Sequence, residues 1–302
     1  MHRSYEVVAR TADLTHEEWL EIRRQGIGGS DLAAVLSMSD WNSPMSIYLD
    51  KIGELKEKPQ SEYAYWGNVL EDVVAREFMK RTGLKARRKN EILRSKSHPF
   101  MMANIDREVI GRKEGLECKT TSEYKRSEWK GDNVPTQYIL QCQHYMAVTG
   151  YKKWHIAVLI GGNTFVFKTI ERDEDIIKMA IDKCELFWNG FVVKRIPPVI
   201  DGLKPTTDAL KEMYEKSIED DHIILPEKAY EYAVTYESSE LREKQAKQDK
   251  EAAKNNLINV LKCSEKGVHE RFEVTNKSDA RGTRRFKLKM KEGKNEWQRM
   301  KL

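Results

Sequence analysis

Asp106 stands eleven residues before Glu117, and Glu117 and Lys119 are two apart in the stretch GLECKTTS, residues 115–122. Side chains alternate along a strand, so Glu117 and Lys119 share one face while Leu116 and Cys118 share the other. A turn at GRKEG would pair the strand carrying Asp106 with the strand carrying Glu117 and bring the two acids together. Two carboxylates so placed repel unless a cation lies between them. Ligands that are all oxygen select a hard ion, Mg²⁺ or Mn²⁺, and the backbone carbonyl of Cys118 can add a further oxygen. Lys119 would face the same ion's water, where it can lower the water's pKa, position it, or stabilise charge on a pentavalent phosphorus. The spacing alone also fits ion pairs across a surface hairpin. The surroundings favour burial: Met101, Met102, Ala103 and Ile105 flank one acid, and Leu116 and Cys118 the other. An unpaired charge in such surroundings would be costly.

Three other groups of polar residues could join this set. Glu71 follows Leu70 at the border of an apolar helical stripe formed by Leu70, Val73, Val74 and Phe78. From there it either reaches the end of the sheet or stays solvated. Tyr138, Gln141 and Tyr145 fall on one face of a helix, where they are either partly buried side chains or polar contacts near an ion or a nucleic acid. In RRQGIGGSD, residues 23–31, the glycines permit a close backbone approach, and Ser30 with the next helix start offers hydroxyl and N–H donors suited to phosphate. Arg23 or Arg24 could clamp that phosphate. No GK[ST] follows, so this is not a P-loop.

The elements that must hold these residues can be read from periodicity and punctuation. Residues 16–25 read as a short helix that GIGG breaks, and Ser30 or Asp31 can cap a second one. Residues 62–82 form the clearest helix, ended by Gly83. Residues 91–121 read as strands, with FMMANIDREVI as one of them. Residues 135–149 read as a helix with Pro135 near its start, 153–171 as a hairpin, and 173–188 as a helix. The order is α/β, a mixed sheet with helices on its faces. Pro197-Pro198 suggests a boundary, which divides the chain into a core of residues 1–202 and a C-terminal region of 203–302. In the latter, 208–220 reads as helical, about 227–262 as a long polar helix, and RFEVTNKSDARGTRRFKLKM as a basic β-hairpin.

The composition narrows the class. The chain has 302 residues with 53 Lys and Arg against 48 Asp and Glu, a net charge of +5. Residues 267–302 hold eleven basic and five acidic residues, so the excess lies there. Such a segment can contact nucleic acid or simply be solvated. The four cysteines, Cys118, Cys142, Cys184 and Cys263, are dispersed. They suggest neither a zinc knuckle nor an iron–sulfur cluster, and a reduced, cytoplasmic setting fits them. No apolar run is long enough to span a membrane, and the first residues lack the apolar core of a secretory signal.

Taken in order, WLEIRRQGIGGSD, WGNVLEDVVAREFMKRTG, ANID, LECKTT and YILQCQHYMAVTG resemble the YqaJ-like viral recombinases, the lambda-exonuclease group of the PD-(D/E)XK nucleases. The resemblance spans roughly residues 15–200. It implies a restriction-endonuclease-like core and Mg²⁺-dependent, 5′-to-3′ digestion of one strand of linear duplex DNA. The 3′ tails so produced would serve a single-strand annealing protein in recombination. On that resemblance Asp106 and Glu117 would be metal ligands and Lys119 would act on the attacking water. Glu71 would be an acid near a second metal position, Gln141 an active-site glutamine, and Arg23 (or its rival Arg24) with Ser30 the holder of a 5′-phosphate. Tyr138 falls beside them. The family's common Pro-Asp is Ile105-Asp106 here. Some family members form rings, which raises a homo-oligomer as an expectation, and a phage origin would place the protein in the host cytoplasm. Two other readings use the same residues: an endonuclease on the same fold, and a non-catalytic DNA-binding partner of an annealing protein. The intact Asp106, Glu117 and Lys119 argue against the last.

Overall fold

The helices begin where short polar side chains can satisfy free N–H groups. In the computed structural model, which describes residues 3–56 and 59–291, α1 (His16–Arg24) opens on a capping box between Thr15 and Glu18. Helix α2 (Gly29–Val35) is capped by Gly28 rather than by Ser30 or Asp31. Asp31 sits one turn inside and its carboxylate accepts the Gly28 N–H. Helix α3 (Pro44–Lys51) starts on Ser43 with proline at its first position. Ser61 caps the long α4 (Glu62–Thr82), which ends on Gly83 in the left-handed conformation that glycine adopts without strain.

The first eight strands form two sheets. Strands β1 (Tyr5–Arg10), β3 (Glu91–Ser95) and β4 (Met102–Asn104) make a three-stranded antiparallel sheet. Strands β2 (Ala86–Arg88), β5 (Arg107–Val109), β6 (Glu114–Thr121), β7 (Lys153–Ile160) and β8 (Thr164–Glu171) make a five-stranded sheet in that order. Strands β6 and β7 run parallel and the other pairs antiparallel, so the sheet is mixed. The segment FMMANIDREVI, expected as one strand, is two. The chain bends at Ile105-Asp106 to leave one sheet and enter the other.

Helices cover both faces of the larger sheet. Helix α4 lays Val74, Ala75 and Phe78 over Leu116 of β6 and Ala157 of β7. Its buried stripe differs from the expected one: Val73 is exposed and Leu70 only half-buried. Helix α5 (Thr136–Thr149) covers the opposite face, packing Cys142 and Met146 with Trp154, Ile156 and Val158. Helices α2 and α6 (Glu174–Phe187) pack on α5 in turn.

The chain divides into two compact units, Met1–Ser217 and Ile218–Leu302. Helix α7 (Lys204–Met213) lies earlier than the 208–220 read from the sequence. It stays with the first unit because Thr206 and Ala209 are buried against that core, where α7 meets α3. The division therefore falls after Ser217 and not after residue 202. The second unit consists of α8 (Lys228–Leu261) and a sheet of β9 (Lys266–Val268), β10 (Phe272–Ser278) and β11 (Arg284–Met290), with β10 in the middle.

Phe78 is fully buried where α4 meets the sheet, with Phe167 edge-on at 5.7 Å and His155 at 5.3 Å. Phe78→Ala is expected to destabilise the protein by about 3–5 kcal/mol in denaturant titration, the range for a large side chain removed from a packed core.

Candidate active site

Pairing between β5 and β6 ends at Arg107–Leu116, so β6 continues from Glu117 with no strand on that side. Asp106, in the bend just before β5, fills the gap: its Oδ2 accepts the Cys118 N–H at 2.8 Å. In an extended strand a residue's N–H and C=O point to the same edge. The Cys118 carbonyl therefore faces the side occupied by Asp106. The exposed strand edge and the bend together bring Asp106 beside Glu117.

Glu117 is 2% exposed. Its Oε1 accepts from Lys119 Nζ at 2.6 Å and from Gln141 Nε2 at 2.7 Å. Its Oε2 is buried with no hydrogen-bond partner. Burial, reinforced by the Asp106 charge, pushes the Glu117 carboxyl up to about 7. Burial also raises Asp106, against the pull of Lys119 and the Cys118 N–H. Burial alone would lower Lys119, but Glu117 and Asp106 outweigh it and hold the ammonium above its ordinary range. Lys119 is thus a fixed cation, suited to stabilising negative charge and orienting a water rather than to taking its proton.

Helix α5 supplies the roof. Gln141 Nε2 also donates to the Tyr145 hydroxyl at 2.9 Å, and both side chains are buried. Tyr138, one turn earlier, stacks on Trp129 with ring centroids 5.7 Å apart, and Lys119 Nζ lies 5.2 Å from its ring centre. The face carrying Tyr138, Gln141 and Tyr145 is therefore turned to the carboxylates.

Tyr145 also reaches a second feature. With Trp19, Arg23, Gly28, Gly29 and Ser30 it lines a recess beside β4. Gly29 is required there, since a Cβ would lie 2.5 Å from the Tyr145 ring. Arg23 stacks over Trp19 at 4.6 Å. Arg24 instead lines a separate recess with Trp41 and Asp50. Of the two arginines, only Arg23 shares the recess with Ser30.

Two buried cations and their acid partners were not legible in the sequence. Lys51 meets Asp31 at 2.8 Å and donates to the Arg23 carbonyl at 3.2 Å, tying α1, α2 and α3 together below the recess. Burial alone would raise Asp31, but Lys51 and Arg23 hold it down at about 2. Nothing in IYLDK marks Lys51 as a buried lysine. Arg107 donates to Glu71 at 2.9 Å and also pairs with Asp72. Its only sequence signal is an arginine beside Asp106 in an apolar stretch. Glu71 therefore approaches the site already tied to a cation.

Among the described residues, no group of three or more His, Cys, Asp or Glu side chains is gathered to hold a metal. What the site offers is two carboxylates, a carbonyl edge and the unpartnered Glu117 Oε2. That all-oxygen set fits a hard divalent ion that keeps several of its waters, as Mg²⁺ does.

Comparisons with known proteins agree with this architecture. Residues 18–152 match the model of the YqaJ-like viral recombinase domain. The chain is 40% identical over 277 residues to the uncharacterized protein YqaJ of Bacillus subtilis (strain 168), covering 89% of this chain and 85% of that one. The crystal structure of an alkaline exonuclease from Laribacter hongkongensis superposes with a TM-score of 0.52 at 19% identity, covering 60% of this chain and 94% of that one. The same exonuclease in complex with dAMP gives 0.50 at 18%, with the same coverage. The core has the PD-(D/E)XK fold: a mixed sheet flanked by helices.

The Asp31–Lys51 pair has a defined pH signature. Asp31 is depressed in the folded state, so its contribution is present above the unfolded carboxyl value near 4 and is lost as pH falls toward about 2. Asp31→Asn should cost about 3 kcal/mol at pH 7 by taking from the buried Lys51 its nearest carboxylate and leaving it only Asp50 at 3.4 Å and the Arg23 carbonyl. The gap between mutant and wild type should close between about pH 4 and pH 2, measured by denaturant titration across that range.

Proposed function

The chain belongs to the YqaJ-like viral recombinase family, and from that premise we propose that it is a Mg²⁺-dependent 5′-to-3′ exonuclease acting on the ends of linear double-stranded DNA. The observation that carries the reading is the continuous path from the Arg23–Ser30 recess through Tyr145 and Gln141 to Glu117. An enzyme that cuts at internal positions has no need of a cationic recess for a terminal phosphate next to its carboxylates. The 3′ tails left by such digestion are the substrate of a single-strand annealing protein, which makes one the natural partner in recombination.

Asp106, Glu117 and the Cys118 carbonyl would hold the ion, with Glu71 beside a second position once its pair with Arg107 is shared. A bound divalent ion supplies Lewis acidity to the phosphodiester and a more acidic water. The protein's own groups do the rest. Arg23, Ser30 and the Gly28–Gly29 backbone seat the terminal 5′-phosphate. Gln141 fixes Glu117, whose Oε2 is left free for a ligand. Lys119, held protonated, orients the attacking water and stabilises negative charge developing on phosphorus. Water adds to phosphorus and the 3′ oxygen of the departing nucleotide leaves with a proton. The phosphate stays on the next nucleotide, so each cut regenerates the 5′-phosphate that the recess accepts.

The deciding experiment is digestion of end-labelled linear duplex bearing a 5′-phosphate or a 5′-hydroxyl, beside closed circles. Release of 5′-labelled mononucleotides from phosphorylated ends, with circles intact, is the expected result; cleavage of closed circles would establish an endonuclease instead. Lys119→Ala and Asp106→Ala should each lower the rate by at least about 10²-fold while circular dichroism shows an intact fold. Near-normal turnover in either would remove its role. Mg²⁺ or Mn²⁺ should support hydrolysis and Ca²⁺ should bind without doing so, because it tolerates looser geometry and acidifies water less. Undiminished activity in excess chelator would exclude the two-carboxylate mechanism.

A further inference from the structure

The C-terminal sheet sorts its charges by face. Between residues 267 and 291 the sequence carries eight basic and three acidic residues. The β10–β11 register sets Glu273 opposite Lys289, Thr275 opposite Lys287 and Lys277 opposite Arg285. On the other side Lys266 of β9 stands opposite Thr275. Because side chains alternate, these residues share one face. The other face carries Val274, Asn276, Phe286 and Arg284. It is spent on the protein itself: Val274 and Asn276 are buried, and Gly267 lies close against Leu261 at the end of α8. Arg284 donates to the carbonyls of Lys262, Ser264 and Asn276, closing the C-terminal end of α8. Arg284 is therefore part of the scaffold, although the sequence groups it with its basic neighbours.

The remaining face has five cations, Lys266, Lys277, Arg285, Lys287 and Lys289, and two carboxylates, Glu273 and, just after β10, Asp279, which pairs with Arg285 at 3.3 Å. Glu273 is engaged by Lys266 at 3.0 Å and lowered by that bond, with Lys291 and Lys289 also near it. Lys277, Lys287 and Lys289 are exposed. With each acid already paired to a cation, Lys277, Lys287 and Lys289 remain on alternate residues of neighbouring strands, an array that complements a polyanion and not a mixed protein surface.

We propose that this face of β10 and β11 binds the sugar–phosphate backbone of duplex DNA, independently of sequence, as a contact in addition to that made by the cleavage site. The proposal takes duplex DNA as the polyanion from the exonuclease reading. In that role the face raises the time the protein stays on DNA and contributes nothing to bond cleavage.

The test uses the full chain and duplex DNA in chelator, so that binding is read without hydrolysis. Lys287→Glu with Lys289→Glu should weaken binding at least about tenfold and lower the slope of log K against log salt by about 2. Lys287→Gln with Lys289→Gln should give a smaller loss, and the paired Lys→Arg variant should bind as wild type. A matched charge change on α8, Lys244→Glu with Lys250→Glu, should leave binding nearly intact. Turnover on a short saturating duplex with Mg²⁺ should be unchanged in all four. An unaltered salt slope in the Lys287/Lys289 double reversal, with unfolding curves showing it folded, overturns the proposal. So does an equal loss in the α8 control, which would mean that net charge alone matters. If wild type fails to hydrolyse DNA yet the reversal still weakens duplex binding relative to the control, the surface stands and the exonuclease reading falls.

Discussion

Glu117 is buried beside a second carboxylate, and much of the core is arranged to permit it. Desolvation and the Asp106 charge both act against its ionised form. Lys119 and Gln141 answer on one oxygen only, and the other is left without a partner. An unmet acceptor inside a packed protein costs free energy unless something occupies it. A divalent ion with its water shell would satisfy Oε2 and relieve the repulsion with Asp106 at the same time. Such an ion would also account for a Lys119 that is close enough to hold charge but does not fully neutralise two acids.

That arrangement depends on a strand that stops early. If β5 continued alongside β6, its backbone would take the Cys118 N–H, and Asp106 would have no place at the edge. The bend at Ile105-Asp106 ends the pairing at Arg107–Leu116 and turns a backbone group toward a side-chain carboxylate. The family's usual proline before the aspartate would favour such a bend by restricting the backbone. Here Ile105 takes that position and is itself buried in the core, so packing can hold the bend where ring geometry is lacking. Helices α4 and α5 then enclose β6 from opposite faces. Glu71 approaches from one side and Gln141 from the other.

Much of this was readable from the sequence because it follows local rules. Alternation put Glu117 and Lys119 on one face and Leu116 on the other, and helical spacing put Gln141 and Tyr145 together, where they share a hydrogen bond. What stayed hidden was set by contacts distant in sequence. Val73 fits a helical stripe as well as Ala75 does, and only the packing of α4 on β6 and β7 decides which is covered. Arg23 and Arg24 are equivalent in sequence, yet the direction of the last turn of α1 puts one in the recess and the other outside. Lys51 and Arg107 were invisible as buried cations because each meets its acid across a tertiary contact. The scaffold role of Arg284 was hidden for the same reason: one of its partners is a carbonyl at a helix end more than twenty residues earlier.

The buried acids of the core divide into two kinds, and the division separates scaffold from site. Asp31 has Lys51 at 2.8 Å, receives the Gly28 N–H, and is held well below the usual carboxylate range. Burial raises Glu108, but Arg87 and Lys89 outweigh it and the net shift is downward. In both, the cations win and the protein gains from the ionised form. Glu117 and Asp106 go the other way, both raised by burial, although a lysine lies against them. Glu71 is intermediate: burial and Asp106 raise it in spite of Arg107 and Arg88. A structural ion pair is selected to close on itself. A group that must accept a ligand has to be left under-compensated when empty, and the fold supports that deficit through the well-compensated pairs around it. Asp106, Glu117 and, to a lesser degree, Glu71 are the acids left raised, and Asp106 lies at the unpaired edge of β6 next to Glu117.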